Sequence, residues 1–524
     1  MKRYCLLLCV VACLGAVTKD SFSGGRIWDA KLHDINEVEI WVTNYGKFGQ
    51  TPDCAPGCWW PKGSQQNYIF GAGFWFGAID SSTGDTLVTI GYGPHGAESE
   101  FAPGLCGQNP DAPYVMIYMY PNPWPAPLDS FPMAPQKPVS HQDSWCCYND
   151  CDSAYHIPGD TRPIGIETYQ TVYDWNRPGA FCTIFFTIEC KNVMGQHLKD
   201  CYVGICADND IGNEAGSSAN DIISGIVGQW YVLDGESLWV DDIGYQWQRE
   251  PESAWNDFPG TICYDLLQTP FDLEWGADKD NDSIPDQYER DSAYYWHNVP
   301  QHKWDVDNDG VRDWRDASEN PQLGMTAFKR FTLSVEPGID RERYLTLAGY
   351  NYQSGQYEPY DTIPSQPDDQ RFLMASGPFD LAPDSSVTCV FAIFFARWDT
   401  TDPRPDTAIV NLDHWTQYFY DMYWFLYTSV RESDFAERFC IDFSVWPNPV
   451  SLNANVLFFL PKPDLVSLKL YNIAGQLVKQ VMHSHKNAGN HMFVLNTNEL
   501  SQGTYFLLME TSHYKCSRSF IVLH

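Results

Sequence analysis

The stretch "FCTIFFTIEC" sets the tightest limit on how this chain can fold. Read at period two, Cys182, Ile184, Phe186, Ile188 and Cys190 line one face, while Thr183, Thr187 and Glu189 point the other way. An extended strand keeps those apolar residues together against a core; a helix would scatter them around its axis. "NVMGQHLKD" then turns the chain into "CYVGICA", and the expectation is a hairpin within a β-sandwich or a similar pair of sheets. Further runs repeat the pattern between residues 40 and 90, where "EIWVTNYG", "YIFGAGFWFGAI" and "TLVTIGYG" alternate with Gly, Asp and Ser turns and "DSSTGD" reads as a hairpin connection. "RFTLSVE" and "SVTCVFAIFFA" complete the same domain. Residues 91–163 read as loop-rich.

Composition agrees with a turn-rich β protein: 15% aromatic residues, 38 Gly and 35 Pro, and only 19% charged residues. One helix stands out, because Leu412, Trp415, Tyr418, Phe419, Met422, Phe425 and Leu426 recur at steps of three and four. Such a stripe is a packing face that closes the large domain. The 524 residues suffice for two to four domains. A formal charge of −34 disfavours nucleic acid and anionic lipid as partners and attracts divalent cations.

At the start, Lys2 and Arg3 precede an apolar run that ends where charge returns at Lys19, the pattern of a cleaved export signal over residues 1–18. The run is too short for an ordinary membrane span, and no later segment reaches the necessary length. Of the 17 cysteines, Cys5, Cys9 and Cys13 fall in this signal, leaving an even number for an oxidising compartment. Disulfides are therefore expected, with "CAPGC" and "CCYNDC" placed in loops and zinc as the minor alternative. Cys182, Cys190 and Cys389 sit in apolar strands, where a buried thiol and a bridge are equally open.

Two acidic stretches crowd carboxylates at alternate positions. In "DVDNDGVRDWRD", Asp305, Asp307 and Asp309 occupy positions 1, 3 and 5 of a cation loop, and Gly310 permits the bend. The Val311 carbonyl stands at 7, with Asp313 and Asp316 at 9 and 12. "DKDNDSIPDQYE" offers Asp278, Asp280, Asp282, the Ile284 carbonyl, Asp286 and Glu289 at the same positions, with Ser283 where Gly is preferred. Carboxylates ~5 Å apart repel by ~3 kcal/mol at an effective dielectric of 20, and a divalent cation reverses that sign. Hard oxygen ligands on flexible loops select Ca²⁺ over zinc and magnesium. A third stretch, "ADNDIGNE" with Asp208, Asp210 and Glu214, is open between a cation loop and an ordinary strand-end turn. The two paired loops resemble the calcium-binding repeats of thrombospondin type 3, whose DxDxDGxxD pattern the second one matches, over about 40 residues.

From residue 441 onward the balance changes to six Lys or Arg against four Asp or Glu, so the acidity belongs to what precedes. Short strands "NVLFFLP", "VSLKLYN", "QLVKQVM", "HMFVLN", "GTYFLLME" and "CSRSFIVL" suffice to close a small β-sandwich. "VWPNPV", "LKLYNIAGQLVKQV", "ELSQGTYFLLME" and the ending "KCSRSFIVLH" make this segment resemble the C-terminal sorting domain of the bacterial type IX secretion system. Trp446, where that family usually has Tyr, and Cys516 are departures from its pattern. The resemblance implies delivery by the outer-membrane export machinery, with the cargo released or held at the cell surface.

The expected architecture is mainly β: a large β-sandwich-type domain over 19–440, with a calcium-loop insertion at 278–316, then a small Ig-like β-sandwich over 441–524. "GYGPHG" satisfies GxGxxG but leads into no helix, and neither HExxH nor GxSxG occurs. No catalytic residues are assigned. The expected role is binding or structural, in a secreted or cell-surface calcium-binding protein. The alternative is a polysaccharide-acting hydrolase or carbohydrate-binding protein, which would make cell-surface polysaccharide a partner; a secreted peptidase without a recognisable motif is a further rival.

Overall fold

The computed structural model describes residues 28–93, 99–270, 322–397, 405–420 and 443–523, apart from stretches of one to three residues within them. Two antiparallel sheets dominate. The first runs Ala327–Thr332, Gln370–Leu381, Leu198–Asp208, Gly71–Asp80, Lys47–Phe48, Glu39–Thr43, Cys58–Trp59, Asn67–Ile69. The second runs Asp221–Leu233, Glu236–Gln248, Thr261–Gln268, Ser386–Ala396, Thr183–Asn192, Ile166–Asp174, Gln142–Asn149, Ala102–Pro103.

Their inner faces meet over one apolar core, and the period-two face of Thr183–Asn192 is part of it: Ile184, Phe186, Ile188 and Cys190 are all buried there. Phe186 stacks on Phe391 of the neighbouring strand at 4.6 Å and meets Phe48 of the opposite sheet at 5.0 Å. Both outer faces are also covered. Helix Pro405–Phe419 lies on the second sheet, with Phe419 against Phe185 and Trp175. Its buried side includes Ile409, Val410 and Phe419, whereas Trp415 of the expected stripe is exposed. Helix Asp340–Leu347 lies on the first sheet, where Leu347 seats over Gly77 and Gly204; a Cβ at either glycine would come within 2.8 Å of a Leu347 methyl.

The expected hairpin between "FCTIFFTIEC" and "CYVGICA" is absent. Thr183–Asn192 pairs with Ile166–Asp174 and Ser386–Ala396 in one sheet, while Leu198–Asp208 pairs with Gly71–Asp80 and Gln370–Leu381 in the other. The connection is an arch over the edge of the core, so two apolar faces meet across the sandwich. Asn192 pins it by donating Nδ2 to Gln196 O at 2.5 Å and Leu381 O at 3.1 Å. "CCYNDC" is likewise no simple loop, because Cys146 and Cys147 lie in the strand Gln142–Asn149. Cys146 and Tyr148 face the main core, Trp145 and Cys147 a second cluster around Phe131.

Residues 443–523 build a three-stranded and a four-stranded antiparallel sheet with a core of their own, including Val456, Phe458, Leu468, Leu507 and Phe520. No helix among the described residues is long and apolar enough to cross a membrane.

Candidate metal centre

Where Leu198–Asp208 and Gln370–Leu381 run side by side, the first ends in Asp208 and the second is preceded by Asp369. Asp210 follows in the next turn. Antiparallel register thus brings two distant acidic segments to one sheet end, and Asp208, Asp210 and Asp369 each place a carboxylate oxygen within 4.8 Å of the other two.

The surroundings are polar and crowded with negative charge. Asp208 Oδ2 accepts from Tyr92 Oη at 2.5 Å and from Arg371 Nη2 at 2.9 Å. Arg371 also meets Glu336 Oε1 through Nε at 2.9 Å and Asp369 Oδ1 through Nη1 at 3.4 Å. Tyr92 reaches Asp208 because Gly71 and Gly73 leave room for it; a Cβ on Gly71 would lie 2.5 Å from the Tyr92 ring. Asp221, fully buried alongside, accepts at Oδ2 from the Ile211 amide at 3.1 Å and Gln246 Nε2 at 2.8 Å.

The remaining oxygens are what mark the site. Oδ1 of Asp208, of Asp210 and of Asp221 is buried without a hydrogen-bond partner. Unpaired buried carboxylate oxygen is costly, and the pKa values register it. Burial pushes Asp208 up to about 6 against the pull of Arg371. Burial, then the charges of Asp208 and Asp369, push Asp210 up to about 7. Asp221 is held well above the usual carboxylate range by burial, despite its two donors. A hard divalent cation relieves such a set, replacing mutual repulsion with attraction; all-oxygen donors suit Ca²⁺ or Mg²⁺ rather than zinc.

Of the residues singled out in the sequence, Asp208 and Asp210 belong to this centre. Glu214 does not: it is exposed and accepts from Ser253 N at 3.2 Å and Ser253 Oγ at 2.6 Å. Asp369 and Arg371 had no signal of their own, since only strand register joins "PDDQRF" to "ADNDIGNE". The loop residues Asp278, Asp280, Asp282, Ile284, Asp286, Glu289, Asp305, Asp307, Asp309, Val311, Asp313 and Asp316 lie outside the described residues. The chain on either side of them is clasped: Leu323 N donates to Pro270 O at 3.0 Å, and Thr269 N to Gln322 Oε1 at 2.7 Å. Pro270 and Leu323, which bracket the acidic stretch, thus lie side by side.

A second buried polar group has a structural arrangement. His156 stands 3.6 Å from Glu100 and 3.9 Å from Asp150. Glu100 accepts from the Ile90 and Ile157 amides, and Asp150 from those of Ile164, Gly165 and Ile166. Backbone donors occupy these carboxylates, tying the loop around His156 to the first sheet.

No curated protein matches the chain. Among solved structures, a polysaccharide lyase aligns over 96% of this chain and 47% of its own length, at 8% identity and a TM-score of 0.22, a likeness too slight to carry an argument. The chain thus spans about half the length of that structure. Residues 444–523 match the family described as "Secretion system C-terminal sorting domain". The small C-terminal sandwich is accordingly a type IX sorting domain, handled by that export machinery, and it marks the chain as a secreted or cell-surface protein.

Proposed function

We propose that the exported cargo is a calcium-binding sandwich with a binding or structural role, in which Ca²⁺ joins segments distant in sequence. The observation that carries this reading is the convergence of Asp208, Asp210 and Asp369, with buried Oδ1 atoms on Asp208 and Asp210 that no protein donor satisfies. Arg371 offsets only part of that charge, because it is shared among Asp208, Asp369 and Glu336. The duplicated loops at 278–316 add further Ca²⁺ ligands on the same reading, inserted between the strands Thr261–Gln268 and Ala327–Thr332. Extracellular sites of this type bind at ~10⁻⁴ to 10⁻³ M.

A hydrolase acting on polysaccharide would need paired carboxyls ~5 to 9.5 Å apart across an open cleft. The carboxylates here converge more closely, and Asp208 is held by Tyr92 and Arg371. Calcium titration of the full chain by calorimetry tests the proposal. Saturable binding, with a melting temperature that a chelator lowers, is expected. A heat-silent titration with melting indifferent to chelator would overturn it.

A further inference from the structure

Delivery outside the cytoplasm exposes thiols to oxidants, yet no two of the described cysteines are bonded in the structure. Several neighbouring pairs among them are poorly placed to bond. Cys146 and Cys147 are successive residues of one strand and face opposite sides. Cys190 and Cys389 lie on paired strands but out of register, opposite Val387 and Ile188 respectively, and both are sealed in the core. Cys54 is exposed while Cys58 is buried.

Cys106 and Cys151 differ. The Cys106 thiol is among the groups acting on that of Cys151, and both residues are partly exposed, so a reagent from solvent can approach. Their backbones are fixed from nearby points: Cys106 N donates to Glu167 Oε1 at 2.8 Å, and Cys151 N to Asn149 Oδ1 at 3.0 Å. Asn149 also donates Nδ2 to Gly104 O at 2.9 Å, joining the two segments just ahead of each cysteine. Glu167 faces Asn149 across the strand pair, so the same sheet end anchors both.

We propose that Cys106 and Cys151 form a disulfide that latches the 99–108 segment to the end of the strand Gln142–Asn149. The two thiols release two protons and pass two electrons to an oxidising disulfide, whose own S–S bond breaks to give two thiols as the Cys106–Cys151 bond forms. The inference rests on export, and is independent of the calcium reading.

The test is peptide mapping of the full chain after equilibration with glutathione disulfide, without reduction. A linked pair of peptides carrying Cys106 and Cys151, lost on treatment with dithiothreitol, is expected; alkylation of both thiols in the unreduced protein would overturn the proposal. Melting gives a second readout. Cys106→Ser, Cys151→Ser and the double variant should each melt lower than the oxidised parent by the same amount, about 5 °C for a loop of this length. Dithiothreitol should bring the parent to the same value. Additive losses in the double variant, or a parent indifferent to reductant, would refute the latch.

Discussion

Replacing Asp210 by Asn keeps the shape of the side chain and removes one of the converging charges. One carboxylate oxygen from each of Asp208, Asp210 and Asp369 lies within 4.8 Å of the other two. At an effective dielectric of 20, each fully charged pair at that distance repels by at least ~3.5 kcal/mol. Without calcium, Asp210→Asn should therefore melt at or above the parent. With calcium at about 100 times the dissociation constant, the parent gains ~2.7 kcal/mol from this site, which the variant forfeits. An unfolding entropy of roughly 2.1 cal/mol/K per residue, over a domain of roughly 420 residues, converts that gain to ~3 °C. The assay is differential scanning calorimetry of both proteins in 10 mM calcium (an order-of-magnitude choice, about 100 times ~10⁻⁴ M) and in chelator. The calcium-dependent rise should be smaller in the variant by ~3 °C, whatever the loops at 278–316 add to both. Equal rises would refute the reasoning. So would a variant that melts lower by the same amount with and without calcium, which would mean lost packing rather than a lost ligand.

Three other outcomes follow from the same structure. Gly71→Ala sets a methyl 2.5 Å from the Tyr92 ring, so it should destabilise the domain by ~1 to 3 kcal/mol in urea unfolding; an unchanged midpoint would contradict the close approach. His33 is buried, with Nε2 2.7 Å from Ser144 Oγ, and burial pulls its pKa down to about 3. Between pH 6.5 and 3 the unfolded chain binds a proton there that the folded one does not, so stability is complete above pH 6.5 and falls on acidification by ~1.4 kcal/mol per unit. His33→Gln should flatten that part of the melting profile, leaving the parent's relative stability about 2 kcal/mol poorer at pH 5 than at pH 7; parallel profiles would refute it. Deleting residues 441–524 should hold the cargo inside the outer membrane while its sandwich still folds, as read by fractionation and circular dichroism, and normal delivery would refute the export role of the tail.

Period-two apolarity made the strands Thr183–Asn192, Gly71–Asp80 and Ser386–Ala396 legible, because each presents a continuous apolar face to the common core. The same signal could not say which strands are neighbours. An arch and a hairpin bury identical faces, and the choice fell to contacts such as those of Asn192. Gln142–Asn149 escaped notice because both its faces are buried, polar residues included: Asp143 accepts from the Val139 amide and from Ser140 N and Oγ, so no solvent-facing alternation is left to read. Helix Asp340–Leu347 is polar at most positions and owes its place to Leu347 fitting over two glycines and to the Arg343 pairs with Asp160 and Asp340. At the candidate metal centre, local spacing pointed to Asp208 and Asp210 but equally to Glu214, which turned elsewhere. Asp369 joins them through the register of two strands far apart in sequence, information that no window on the chain contains.

Anomalous scattering from crystals grown in calcium, recorded at two wavelengths that distinguish calcium from sulfur, goes straight to the coordination. A peak bonded to oxygens of Asp208, Asp210 and Asp369 at ~2.3 to 2.6 Å is the expected result. Those carboxylates turned to Arg371 and solvent, with no calcium signal between them at saturating concentration, would contradict the metal centre.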